Sequence, residues 1–162
     1  MRYKDVAQRY DELFEGDQAA QRWWNSGEPN PLVRSVEGFI SSGNVLDIGA
    51  GVGQNSIYLA SRGFNVLATD ISGVAVRRIQ ENAHKNAVSL CAQVHDVVHE
   101  ELENEFDVII CLGVLHHLYS NDASLVIKKI QQHTMPSDST LSTRSPKGEL
   151  FIRRIQRQTN FL

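Results

Sequence analysis

Runs of strand-like and helix-like hydrophobic spacing alternate along this chain, a pattern that predicts successive βαβ units and a doubly wound, mostly parallel α/β fold. Asn44 to Ile48 (NVLDI) reads as a short buried strand, followed by a glycine turn and a helix from about Gln54 to Arg62 closed by Gly63. Asn65 to Thr69 (NVLAT) is a second strand, and Ser72 is placed to cap the next helix, where Ala75, Ile79 and Ala83 fall on one face. Val88 to Val94 is a third strand. The unbroken apolarity of Phe106 to Leu112 (FDVIICL) predicts a fourth strand covered on both faces. Asn121 or Asp122 then caps a helix reaching about His133, and Ser139 to Thr143 is weak material for a fifth strand.

Ahead of this core, Tyr3 to Phe14 is an amphipathic stretch, and a loop through Trp23, Trp24 and Gly27 leads to a helix capped by Asn30, opened by Pro31 and stopped at Gly43. Three parts follow: a helical, lid-like segment over residues 1–43, an α/β core over 44–144, and a basic tail over 145–162. Composition agrees with one globular domain, 162 residues at 41% hydrophobic and 22% charged, and excludes wholesale disorder. The net charge of −3 is uneven, because residues 141–162 carry five Lys/Arg and one Glu, leaving eleven basic against eighteen acidic side chains in residues 1–140. The body should therefore repel nucleic acid, and the tail lacks any supporting nucleic-acid motif. No apolar run approaches the roughly 18 residues of a membrane span, and the N-terminus lacks a signal-peptide core, so a cytoplasmic protein is expected. Cys91 and Cys111 lack metal or redox spacing and read as packing residues. The six carboxylates within residues 96–107 read as a solvated connection.

Candidate chemistry gathers at the first strand's end. In Gly49-Ala50-Gly51-Val52-Gly53, between a strand and a helix, glycines allow a tight turn and close approach of a nucleotide-like ligand. Asp70 ends the next strand, where a carboxylate can accept hydrogen bonds from a free ribose diol. Asp47, two residues before the first glycine, opposes a pyrophosphate and favours a cationic group. S-adenosylmethionine has the matching groups: a free ribose diol, an ammonium, a sulfonium and no phosphate. A nicotinamide-dependent oxidoreductase is the alternative, disfavoured by G-x-G-x-G spacing in place of G-x-G-x-x-G and by Asp47.

The block from Val45 to Gly53, Asp70, Asp96 after the third strand, and FDVIICLGVLHHL around the fourth resemble the class I S-adenosylmethionine-dependent methyltransferases. The pattern from Gly49 to Asp70 is similar, more narrowly, to the tellurite-resistance-type enzymes. The resemblance covers residues 44–135 and implies a doubly wound sheet with a bound methyl donor. By position it places Asp47 and Gly49 near the donor's ammonium, Ala50, Gly51 and Gly53 under it, and Asp70, followed by Ile71, on the ribose. It places Asp96 and Val97 at the adenine, and has Leu112 and Gly113 close the pocket. The family's strand order also sets Cys91 and Cys111 on strands roughly 14 Å apart, so both thiols should stay reduced.

Methyl transfer from a sulfonium is an in-line displacement that needs chiefly alignment and a dry site. His116 and His117 follow the fourth strand, where family sites open. Neighbouring side chains there should point in different directions, and His117 is the choice for base or acceptor orientation. No metal ligation is expected. Tyr10 or Trp24 would form a lid whose ring face attracts the sulfonium. The signature N-P-P-[YFW] of nucleobase amino methylation is absent, which suggests a small-molecule acceptor, with tellurite or another oxyanion implied by resemblance alone. The family sheet has seven strands, five fit this chain, and the last 18 residues do not supply the missing pair. A sheet truncated there would expose an apolar edge and self-associate, and a donor- or partner-binding fragment without turnover is the competing reading.

Overall fold

The structure is a computed structural model that describes residues 3–16, 28–134, 140–144 and 150–154. Strands β1 (Asn44–Ile48), β2 (Asn65–Asp70), β3 (Cys91–Val94) and β4 (Val108–Cys111) run parallel in the order β3-β2-β1-β4. Val45 is level with Val66 and Val108, and Asp47 with Ala68 and Ile110, so these side chains share one sheet face. Leu46, Ile48, Ile109 and Cys111 occupy the other. Along the chain the helices are α1 (Tyr3–Gly16), α2 (Pro31–Arg34, continued by a 3-10 turn Ser35–Gly38), α3 (Gln54–Ser61), α4 (Gly73–Lys85) and α5 (Ser120–His133). Val33, Val36, Leu59 and Phe64 of the α2–α3 side pack on the first face, where Ile79 of α4 meets Ala68. Val126 and Ile130 of α5 pack on the second, which completes the doubly wound arrangement.

Several boundaries move. The helix opened by Asn30, whose side chain accepts from Leu32 N, ends at Gly38 well short of Gly43, because glycine is a poor helix former. Val88 is spent on ending α4, its N–H reaching Ala83 O past the left-handed Ala87, so β3 starts only at Cys91. Asn121 and Asp122 lie inside the first turn of α5, whose flanking Tyr119 makes no side-chain cap. Cys91 is exposed and not a packing residue, whereas Cys111 is buried, its thiol pushed up to about 12 by burial and then by Asp47; neither is paired.

The weak fifth strand is present as β5 (Thr140–Arg144), and Leu150–Arg154 forms a sixth strand that the hydrophobic pattern missed. β6 pairs antiparallel with β4 and with β5, giving the order β3-β2-β1-β4-β6-β5. The edge of β4 is thus covered by β6, a single strand from the last 18 residues and not the missing pair, and β5 becomes the sheet edge. The sequence signal was Pro146 and Gly148 between two short runs, a hairpin-type spacing. Among the described residues no helix is long and apolar enough to cross a membrane.

The acidic connection is more than solvated surface. Asp107 Oδ2 accepts from Asn44 N at 2.8 Å, tying it to the start of β1. Lys129 of α5, only 4% exposed, donates to the carbonyls of Val97 (3.3 Å), Val98 (3.1 Å) and Glu100 (2.7 Å). Lys129→Met would strand three carbonyls beneath the 97–100 loop, and we expect a stability loss of about 2–4 kcal/mol in urea unfolding, with no change in the unfolding slope.

Candidate functional site

The first strand delivers the chain into a turn that only glycines can make. Gly49, Gly51 and Gly53 all have left-handed backbones, with φ of 69°, 60° and 85°. A Cβ on Gly49 would lie 2.2 Å from Cγ2 of Val114, so the loop after β4 rests directly on the turn. Gly49→Ala adds a left-handed alanine to a clash with a stiff β-branched side chain, and should cost about 2–3 kcal/mol. In the double variant with Val114→Ala, urea unfolding should recover the clash part and leave the backbone part.

Inside the turn the backbone donors are already spent: Gly49 N and Ala50 N donate to Thr69 O at 2.8 and 2.9 Å, and Gly53 N donates to Ala50 O. Gly51 N donates to Asp70 Oδ2 at 2.9 Å, while Asp70 Oδ1 accepts from Ser72 N at 3.0 Å. The turn is therefore poor in free N–H groups for a phosphate. Two desolvated carboxylates flank it. Asp47, 2% exposed, accepts from Ser56 Oγ at 2.6 Å, and burial above all, with the charge of Asp70, raises its pKa to about 7. Burial also raises Asp70, against the backbone N–H groups that favour its charge. Such a pair calls for hydrogen-bond donors and a cation. Among the described residues no three His, Cys, Asp or Glu side chains converge to hold a metal ion.

Helix α1 lies over this turn. Phe14 and Tyr10 pack with Val52 of the turn and with Val74 and Ala75 of α4. Asp11 Oδ1, which the pattern did not single out, accepts from Ser72 Oγ at 2.5 Å and from Val74 N at 3.1 Å, latching α1 to the start of α4. Tyr10 meets His117 edge-on at 5.9 Å between ring centroids. Burial raises the Tyr10 hydroxyl, Arg9 opposes this, and the charge of Asp70 adds to it. His116 and His117 do not diverge: a 3-10 turn (Leu115–His117) brings their rings to 3.8 Å at 44°. Burial, then His116 and Arg9, lowers the His117 pKa, which keeps its ring neutral near pH 7. Trp24, like Trp23, lies outside the described residues.

On the far side, Asp96 is buried and turned inward. Its Oδ1 accepts from Val98 N (2.9 Å) and His99 N (3.3 Å), and its Oδ2 meets His99 Nδ1 at 2.5 Å. Val97 packs into the core with Leu46 and Ile109, and its carbonyl accepts from Lys129 Nζ. Ile71 is half-buried after Asp70, Leu112 packs on the edge of the cluster built from β1, β4 and the α2–α3 side, and Gly113 has a left-handed φ of 74° that turns the chain toward His116. Ser56, Asp11 and Lys129 carried no sequence signal, since their partners lie in other elements.

Residues 25–145 match the family model of the tellurite resistance protein TehB. A probable S-adenosyl-L-methionine-dependent methyltransferase TehB of Haemophilus influenzae (strain 10810) is 28% identical over 59% of this chain and 33% of its own length. The ubiquinone biosynthesis O-methyltransferase of Pseudomonas aeruginosa (strain UCBPP-PA14) is 32% identical over 86% of this chain and 66% of its own. The crystal structure of magnesium protoporphyrin IX methyltransferase from Synechocystis PCC 6803 with bound SAH superposes with a TM-score of 0.68 at 25% identity, covering 82% of this chain and 68% of that one. The chain thus spans a third to two thirds of the length of the curated relatives described.

Proposed function

Since the chain belongs to the family of the tellurite resistance protein TehB, we propose that it binds S-adenosylmethionine and transfers its methyl group to a small-molecule acceptor. The observation that carries this reading is the pair of desolvated acids beside the glycine turn, Asp47 with a pKa near 7 and Asp70 at the next strand's end. When bound, the donor supplies an electrophilic methyl group on a sulfonium. The protein's own part is alignment and exclusion of water. Asp47 takes the ammonium, Asp70 the ribose hydroxyls, and the turn Gly49-Ala50-Gly51-Val52-Gly53 carries the body of the donor. The backbone of Ile71 and Val97, with Asp96, borders the adenine, and Leu112 and Gly113 close the β4 side. Tyr10, held on α1 by the Asp11 latch, keeps water from the reacting end, with Trp24 as the other lid candidate.

His117 faces the acceptor. Its neutral ring can orient an acceptor or take a proton from a hydroxyl, and the charge of Arg9, felt by both Tyr10 and His117, suits an anionic acceptor such as an oxyanion. The tellurite-resistance description of the family and an O-methyltransferase among the similar proteins support an oxygen-bearing acceptor. Calorimetry with S-adenosylmethionine, S-adenosylhomocysteine and NAD side by side tests the donor: binding of the first two alone is expected, and preference for NAD would overturn the reading. Release of S-adenosylhomocysteine across a panel of tellurite, phenols and carboxylates separates enzyme from fragment.

A further inference from the structure

Helix α3 opens on Gly53, which has no side chain to cap it, and both Ser56 and Leu59 turn inward from its first two turns. Leu59 suits that face, packed with Val45, Val66 and Ile110. A hydroxyl suits it less, because a buried polar group without a partner is costly and serine is a poorer helix former than alanine. Ser56 is nonetheless fully buried. Its hydroxyl donates not to its own helix but across to Asp47 Oδ2 on β1, at 2.6 Å.

This bond divides the two oxygens of Asp47. Oδ2 is held from α3, while Oδ1 accepts no hydrogen bond from any described residue. Among the described residues only His95 Nε2 is both sealed from solvent and without a partner, so Oδ1 keeps an opening. A carboxylate with one oxygen tied and the other open is held in one orientation and has acceptor capacity to spare. Of the groups facing it, Ser56 alone favours the charged form: burial and Asp70 of β2 oppose it, and Cys111 of β4 stays a neutral thiol. Arg9 of α1 bears on Tyr10 and His117 instead.

We propose that Ser56 is a positioning residue of the donor site, clamping Oδ2 of Asp47 so that the open Oδ1 meets the donor's ammonium. This rests on the reading of Asp47 as the ammonium's partner, and it gives a reason for a hydroxyl at an otherwise apolar helix position. Without Ser56 the carboxylate loses both its anchor and its one hydrogen-bond donor, so it is free to turn and takes up a proton more readily.

The test is calorimetry of the full chain, wild type and Ser56→Ala, with S-adenosylhomocysteine and with its desamino analogue, which lacks only the amino group, from about pH 6 to about pH 8.5. The wild type should prefer S-adenosylhomocysteine by at least about tenfold at about pH 7.5, with an affinity that rises toward about pH 7. In Ser56→Ala that ligand should bind at least about threefold more weakly and the rise should move up by about one pH unit, while the desamino analogue binds as before. A hydroxyl with a purely structural role would weaken both ligands alike and leave the rise in place, and either result would overturn the proposal. Absence of the amine preference in the wild type would remove the ammonium reading and this inference with it, whereas an intact preference with an unmoved rise in Ser56→Ala would remove this inference alone. Should Ser56→Ala fail to fold, Ser56→Cys keeps the shape with a weaker donor, and an undisplaced rise there would overturn the proposal as well.

Discussion

Replacing Asp70 by alanine is expected to weaken S-adenosylmethionine binding by about a hundredfold or more, the largest effect of any single change at the site. Two charge-assisted hydrogen bonds to ribose hydroxyls, each worth about 1.5–3 kcal/mol, would be lost together. The same carboxylate also accepts from Gly51 N and Ser72 N, so its removal loosens the glycine turn against the start of α4. Asp70→Asn keeps one acceptor oxygen and should fall between the two. Calorimetry on variants whose thermal unfolding shows them folded is the measurement, and an unchanged dissociation constant in Asp70→Ala would falsify the ribose assignment.

Asp47→Asn should move stability and donor affinity in opposite directions. The folded pKa near 7 lies above the ordinary aspartate value because the carboxylate is buried with one side-chain hydrogen bond, from Ser56. A raised folded pKa means that the folded state holds a proton the unfolded chain has released. Stability is therefore fully present below about pH 4 as far as this group is concerned, and is lost as pH rises toward 7. The loss is on the order of 4 kcal/mol for the ligand-free protein, and Asp47→Asn should remove most of it, flattening urea-derived stability between about pH 5 and 8. Binding runs the other way. Only the ionised carboxylate attracts the donor's ammonium, so wild-type affinity should rise as pH climbs toward about 7, with proton release on binding near pH 6. In the asparagine variant affinity should be weaker by roughly tenfold at pH 7.5 and lose that rise. Steeper pH dependence in the variant, or tighter binding, would show that Asp47 does not face the ammonium.

Where local signals agreed, the pattern of the chain and the structure coincide. NVLDI and NVLAT each span a strand, with Asp70 as one further residue of the second, and Ala75, Ile79 and Ala83 all turn inward from α4. Ser72 caps that helix through Ala75 N. Where two signals competed, the pattern misled. Val88 to Leu90 have strand character but follow a helix that must end in a left-handed turn, and Asn121 and Asp122 are good caps that come two and three residues too late. β6 was missed because a five-residue strand ending in two arginines is stabilised by its pairing with β4, which no local window contains.

By itself the sequence determined the parallel core, the glycine turn and the placing of acids at strand ends, since period, turn chemistry and strand length depend on residues a few positions apart. The tertiary structure decided how those acids behave. Ser56 meets Asp47 across 9 residues, Asp11 latches to Ser72 across 61, and Lys129 reaches back to Val97 across 32. Burial, and hence the raised pKa of Asp47, the meeting of Tyr10 with His117 and the orphaned Nε2 of His95, arise only when distant elements exclude water from the same place. Desolvation is a property of the packed volume around a group, and no stretch of sequence carries it.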